Sequence, residues 1–113
     1  MDKSILTTIK KLLGIEEEYT HFDADIIAHI NTCFMFLRQM GVGPIEGFSI
    51  EDSTLTWADF IDEIQNFEAV KTYIHLKVKL IFDPPLSAAV IQAYKETIAE
   101  CEWRLNGTAE LHY

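Results

Sequence analysis

The chain has 113 residues, 49% hydrophobic and 24% charged, the balance of one ordinary globular domain rather than of a disordered or fibrous protein. With 9 basic residues against 18 acidic ones the net charge is -9, opposite to what neutralising phosphates requires, so sequence-reading of nucleic acid is disfavoured. The same charge fits either plain solubility or a surface past which DNA slides without sticking. No apolar run approaches the ~18 to 20 residues that cross a bilayer, and Met1-Asp2-Lys3-Ser4 lacks the basic-then-apolar layout of a secretion signal; no membrane association and a cytoplasmic site of synthesis are expected.

Ile5, Leu6, Ile9, Leu12 and Leu13 recur at helical spacing, Lys10 and Lys11 suit the last turn, and Gly14 supplies a stop, which predicts a short first helix. After Glu16-Glu17-Glu18, either Thr20 or Asp23 caps a second helix with an inner face of Ile26, Ile27, Ile30, Phe34 and Leu37, ended by Gly41. Periodicity then vanishes over residues 42–56. Gly43-Pro44 and Gly47 supply turn chemistry there, and Phe48 to Ile50 is the one strand candidate. A loop this long in a small domain is more often functional than idle.

Thr56 with Asp59 three residues on predicts a capped short helix carrying Trp57, Phe60 and Ile61. A break at Gln65-Asn66 is expected before a central helix over 67–82, whose apolar face is Phe67, Val70, Tyr73, Ile74, Val78 and Ile81. Asp83-Pro84-Pro85 must end it, because proline lacks an amide donor and pushes its predecessor out of helical conformation. Ile91, Tyr94, Ile98, Cys101 and Leu105 then alternate at three and four residues, the seam of a helix lying along another, and Asn106-Gly107 is expected to close it. The expected fold class is all-α: a bundle of four to five helices with one long loop between the second and third, a single domain over 1–106 and a short tail over 107–113.

Catalytic chemistry finds few parts. Asp25 and His29 share a helical face, but two ligands do not make a metal site. Cys33 and Cys101 each fall in an apolar stripe, where an unpaired thiol acts as a small hydrophobe; a disulfide between them is the less favoured reading. Helical pyrophosphohydrolases hold magnesium with paired acidic motifs, whereas here Glu16 to Glu18 sit in a linker, and Glu96, Glu100 and Arg104 follow the spacing of a solvated helix face. No serine occupies a nucleophile elbow and no glycine loop precedes a Lys-Ser or Lys-Thr pair. The stripe Glu68, Lys71, His75 and Lys79 is either a contact for an acidic partner or the solvated back of a buried helix, and Trp57 either a binding anchor or a plug that seats its helix.

Several segments resemble, in order and spacing, the head-tail connector (adaptor) family of long-tailed bacteriophages. They are Leu12-Leu13-Gly14-Ile15; Asp25-Ile26-Ile27 with His29-Ile30-Asn31; Gly41-Val42-Gly43; Trp57 with Asp59-Phe60; Tyr73 with Leu76-Lys77-Val78-Lys79-Leu80 and Phe82-Asp83-Pro84-Pro85; and Glu102-Trp103-Arg104-Leu105-Asn106. The resemblance runs from the first helix to Asn106 and carries no catalytic residue. It implies a structural virion protein at the head-tail junction, made in the host cytoplasm, with no cofactor. Such a protein sits as a ring of subunits, usually twelve-fold, between the portal protein and further head-completion (stopper) or tail proteins, and DNA passes through the channel without sequence-specific binding.

Candidate partner-interface residues are Val42, Pro44, Ile45, Phe48 and Ile50 in the long loop and Leu111, His112 and Tyr113 in the tail. The rival expectation is a small helical regulatory or adaptor protein that binds a single phage or host protein.

Overall fold

The computed structural model describes residues 1–61 and 64–111, and of residues 64 and 108–111 the backbone only. Among the described residues five helices follow one another: α1 (Ile5–Leu12), α2 (Asp23–Gln39), α3 (Trp57–Phe60), α4 (Ile64–Phe82) and α5 (Ala88–Leu111). There is no strand among the described residues, only an isolated antiparallel bridge between Ser4 and Thr56. The fold is all-α, as the periodicities predict.

Ser4 caps α1 by accepting the Thr7 amide at 3.2 Å, and α1 turns Ile5, Leu6 and Ile9 inward. Gly14 ends this segment at φ +80°, a conformation that costs glycine nothing. Neither Thr20 nor Asp23 caps α2. Phe22 occupies the cap position and Asp23 is the first helical residue, its carboxylate held by Lys10 Nζ at 2.9 Å. Asp23 and Asp25 instead place negative charge in the first turn, where the helix dipole favours it.

The loop over 42–56 folds back onto α2. Phe48 to Ile50 does not pair as a strand; the Asn31 side chain takes a strand's place, accepting the Ile50 amide at 2.8 Å and donating to the Ile50 carbonyl at 2.9 Å. Phe48 stacks edge-on to Phe34 and Phe60 with centroids 5.0 and 5.2 Å apart. Gly43 is required by space as well as by its φ of +91°, since a Cβ there would lie 2.4 Å from the Phe60 ring.

The Thr56 amide donates to the Asp59 carboxylate at 2.7 Å, the expected capping partnership. The loop's end is stitched to the N-terminus, with Ile5 N donating to Leu55 O and Trp57 N to Lys3 O. Trp57 is the plug of the two alternatives: it is fully buried and its indole N–H donates to Thr8 Oγ1 at 3.1 Å.

The expected break comes a few residues before Gln65-Asn66: α3 ends at Phe60, Ile61 is extended, and both residues already lie in the first turn of α4, which begins at Ile64. Asparagine costs a helix only about 0.7 kcal/mol, less than the burial of the apolar residues that follow offsets. Val70, Tyr73, Ile74 and Val78 are fully buried at the centre of the molecule, but Ile81 is 59% exposed, contrary to its place in the expected inner face. In that last turn Phe82 is the residue that packs inward, against Phe22 at 5.2 Å, and its neighbour is rotated about 100° away.

Asp83-Pro84-Pro85 makes the expected corner, with Lys79 closing on Asp83 at 2.8 Å. Ser87 Oγ then accepts the Val90 amide at the start of α5, and Ile98, Cys101 and Leu105 are buried with Ile91 and Tyr94 half-buried beside them. The stop expected at Asn106-Gly107 does not occur: α5 runs on to Leu111, because Gly107 keeps an ordinary helical backbone and a mid-helix glycine costs only about 1 kcal/mol. The residues from 107 to 111 are therefore helix rather than tail. The whole is a slab of 41 × 35 × 20 Å.

Candidate interaction surfaces

Sequence reasoning missed a buried cation. Lys10 is 2% exposed, and its ammonium donates to the Glu17 carbonyl at 2.9 Å and the Tyr19 carbonyl at 2.8 Å while pairing with Asp23. It fastens the acidic connection between α1 and α2, so Lys10 is a staple and not the dipole partner its position suggested. No signal in the local sequence separates it from exposed Lys11 except that its helical position falls next to Ile9 and Leu13 on the inner side.

Burial favours the neutral forms of the two thiols and the phenol in the core. Burial pushes the Cys33 thiol up to about 12, against an opposing pull from Lys77, and raises Cys101 as well, with Glu100 adding to the effect. Both cysteines are free and buried, which makes them inert hydrophobes rather than nucleophiles. The Tyr73 hydroxyl has its ionisation pushed up by burial and then by Glu102 on α5, with both cysteines adding to the effect. His75, on the other side of α4, has its protonation suppressed by burial and by Lys79, while the Leu12 backbone works the other way. Lys77 lies over the Phe36 ring at 4.5 Å, a cation–π contact between α4 and α2.

Asp25 and His29 make no ion pair among the described residues, and no group of three His, Cys, Asp or Glu side chains among them is arranged to hold a metal. The stripe on α4 is partly occupied internally, with Lys71 on Glu68 at 3.1 Å and Lys79 on Asp83. Glu100 and Arg104 pair on the solvated face of α5 at 2.8 Å.

What remains is surface. Of the loop candidates, Ile45 is 89% exposed and Pro44 half-buried, whereas Val42 and Ile50 belong to the core and Phe48 to the aromatic cluster on Phe34. Arg38 Nε donates to the Ile45 carbonyl at 2.9 Å and presents that tip. The Leu111 side chain, His112 and Tyr113 lie outside the described residues. Three exposed apolar residues, Ile81, Leu86 and Val90, gather at the corner between α4 and α5.

Trp103, which sequence reasoning used only as part of a motif, is 72% exposed on the outer face of α5. A helical wheel carries the signal, since Trp103 sits roughly 160° from Leu105 on the buried stripe. On α1, an open depression of about 300 Å³ is lined by Thr7, Lys11, Gly14, Ile15, Glu16 and Glu17.

A closed core with large apolar side chains left on the outside marks a small helical module with surfaces suited to contact with other proteins. The chain belongs to the phage connector protein family, whose model matches residues 5–112. It is thus a head-tail connector in the broad sense, structural in kind, placed in the virion among other head and tail proteins. No curated protein and no solved structure matches it. No helix among the described residues is long and apolar enough to cross a membrane.

Proposed function

We propose that this chain acts without catalysis as one subunit of a ring, twelve-fold in the virion, seated between the portal protein and the next head-completion (stopper) or tail protein. The observation that carries the reading is the connector family match, which takes in every helix of the fold. Exposed apolar groups on several faces support it, because a ring subunit that also touches rings above and below needs more than one contact patch.

Ile45 with Pro44, and the C-terminal segment with Leu111, His112 and Tyr113, are the parts that dock on the neighbouring rings. Val42, Phe48 and Ile50 serve that dock from within by holding the loop's shape. The acidic excess lines part of the channel and keeps DNA mobile during ejection by like-charge repulsion over about a Debye length. Lysine in place of the channel-facing glutamates then slows DNA release, and unchanged release kinetics would remove the charge argument while sparing the ring.

Quantitative mass spectrometry of purified particles tests the reading directly. A ratio to the portal protein near one to one is expected. Absence of the chain from intact tailed particles would overturn it and favour a regulator that binds a single phage or host protein.

A further inference from the structure

Two surfaces of this chain fit one another. On α5 the outer ridge carries Trp103, flanked by the small residues Ala99 and Gly107 and preceded by Glu96 and Glu100; all are exposed except half-buried Gly107. On α1 the outer ridge carries Thr7 and Lys11, with Lys3 just ahead of the helix, and it ends in the depression of about 300 Å³ beside Gly14, where a Cβ would meet nothing within 4 Å. That volume is at the small end of what takes up a ligand or one large side chain (roughly 300–1,000 Å³).

The charges complement as well. Glu96 brings a negative charge and Glu100 a second that its exposed pair with Arg104 at 2.8 Å partly offsets and that can exchange partners, while Lys3 and Lys11 are exposed and make no ion pair among the described residues. An indole N–H needs an acceptor when it is buried, and the depression offers the Glu16 and Glu17 carboxylates. No aromatic side chain among the described residues lines it.

The two surfaces cannot meet within one copy. Tyr73 faces α5 through Cys101 and Glu102, His75 faces α1 through Leu12, and residues two apart on a helix point about 200° away from each other. The outer ridges of α1 and α5 therefore look out on different sides of α4. Joining unlike surfaces on different sides of a subunit is head-to-tail association, which closes into a ring when the rotation is right.

We infer that Trp103 of one copy seats in the Thr7–Lys11–Gly14–Glu17 depression on α1 of the next, with Glu100 and Glu96 against Lys11 and Lys3. This rests on the ring reading above and names its lateral contact, a second copy of this chain. Trp103 is the anchor and the charges set the register, the usual division between a buried aromatic and rim ion pairs.

The experiment is photo-cross-linking in assembled particles grown with Trp103→p-benzoylphenylalanine, which keeps an aromatic group at that position. The expected product is a dimer of this chain in which residue 103 is joined to residues 7–17 of another copy. A dominant cross-link to another segment or to a different protein, or no cross-linked dimer in particles that contain the chain, overturns the inference while leaving the ring reading in place. Particles that lack the chain altogether overturn the ring reading itself. In the same background, Lys11→Glu or Glu100→Lys alone lowers the cross-linked yield roughly two- to fivefold, as exposed ion pairs do, and the two together restore it. A double exchange no better than either single change overturns the head-to-tail pairing.

Discussion

Between residues 1 and 61 the chain is held from several directions at once. Backbone bonds tie the N-terminus to the end of the long loop, Asn31 grips the Ile50 backbone, Lys10 fastens the α1–α2 connection, and Trp57 reaches back to Thr8. By contrast α5 packs chiefly on α4, with a single stripe of Ile98, Cys101 and Leu105 buried and most of its remaining surface in solvent. A helix about 36 Å long that is covered on one side is an unfinished element. Small domains tolerate this when the other side has a partner, so the first region of this protein serves stability and the last helix serves contact.

The two tryptophans give the sharpest way to break that contrast. Trp57→Ala removes a fully buried side chain and the donor to Thr8 Oγ1, and it is expected to lower unfolding free energy by about 3–5 kcal/mol in a denaturant titration. Trp103→Ala in the isolated chain should stay within about 0.5 kcal/mol of the parent, because that ring is 72% exposed. Equal losses at both positions would mean that the outer face of α5 is packed as tightly as the N-terminal region.

Next in size is Lys10→Met, which keeps the aliphatic stem but leaves the Glu17 and Tyr19 carbonyls and Asp23 without their donor. A loss of about 1–3 kcal/mol is expected, with faster amide exchange over residues 14–22. Asp23 keeps some solvent contact, which is why the cost falls below that of a fully buried broken pair.

Gly107→Ala works the other way. The position is helical, has no positive φ and has open space where a Cβ would go, so the change should raise stability by about 0.5–1 kcal/mol and slow exchange in the last turns of α5. No gain would indicate that these turns are frayed in the isolated chain.

The smallest effect is one of pH. His75 is protonated less readily in the folded chain than in the unfolded one, so as pH falls through the range where an ordinary imidazole titrates the unfolded state binds more protons and stability falls. The thermal midpoint should therefore drop on acidification through that window, and His75→Gln should flatten the dependence. Asp52, whose ionised form is favoured by its hydrogen bonds to Thr54, adds its own loss only at lower pH.

The helical periodicities were legible because each element needs an inner face: Ile5 with Ile9, Ile30 with Phe34 and Leu37, and Ile98 with Cys101 and Leu105 all point where their spacing says. The Thr56–Asp59 cap and the Asp83-Pro84-Pro85 corner were legible for a different reason, since they are local chemistry acting over three or four residues. Which loop residues point outward was harder to read. Ile45 is exposed as a contact residue must be, but Val42 and Ile50 are buried, because an apolar residue in a loop carries no periodicity to say which way it points. Helix ends were the weakest part: the break before α4 falls a few residues ahead of Gln65-Asn66, and Asn106-Gly107 looks like a stop, yet α5 continues through it at a propensity cost of only about 1 kcal/mol.

By itself, then, the sequence determined the helical class, the order and inner faces of the helices, the proline corner and the membership in a connector family, all of which depend on spacing within a few residues or on pattern along the whole chain. Tertiary structure alone decided that Lys10 is buried, that Asn31 stands in for a strand, that Phe82 rather than Ile81 turns inward, and that the outer ridges of α1 and α5 face different sides of α4. Each of those depends on which distant residue arrives opposite, and one-dimensional spacing does not encode the side on which a neighbour packs.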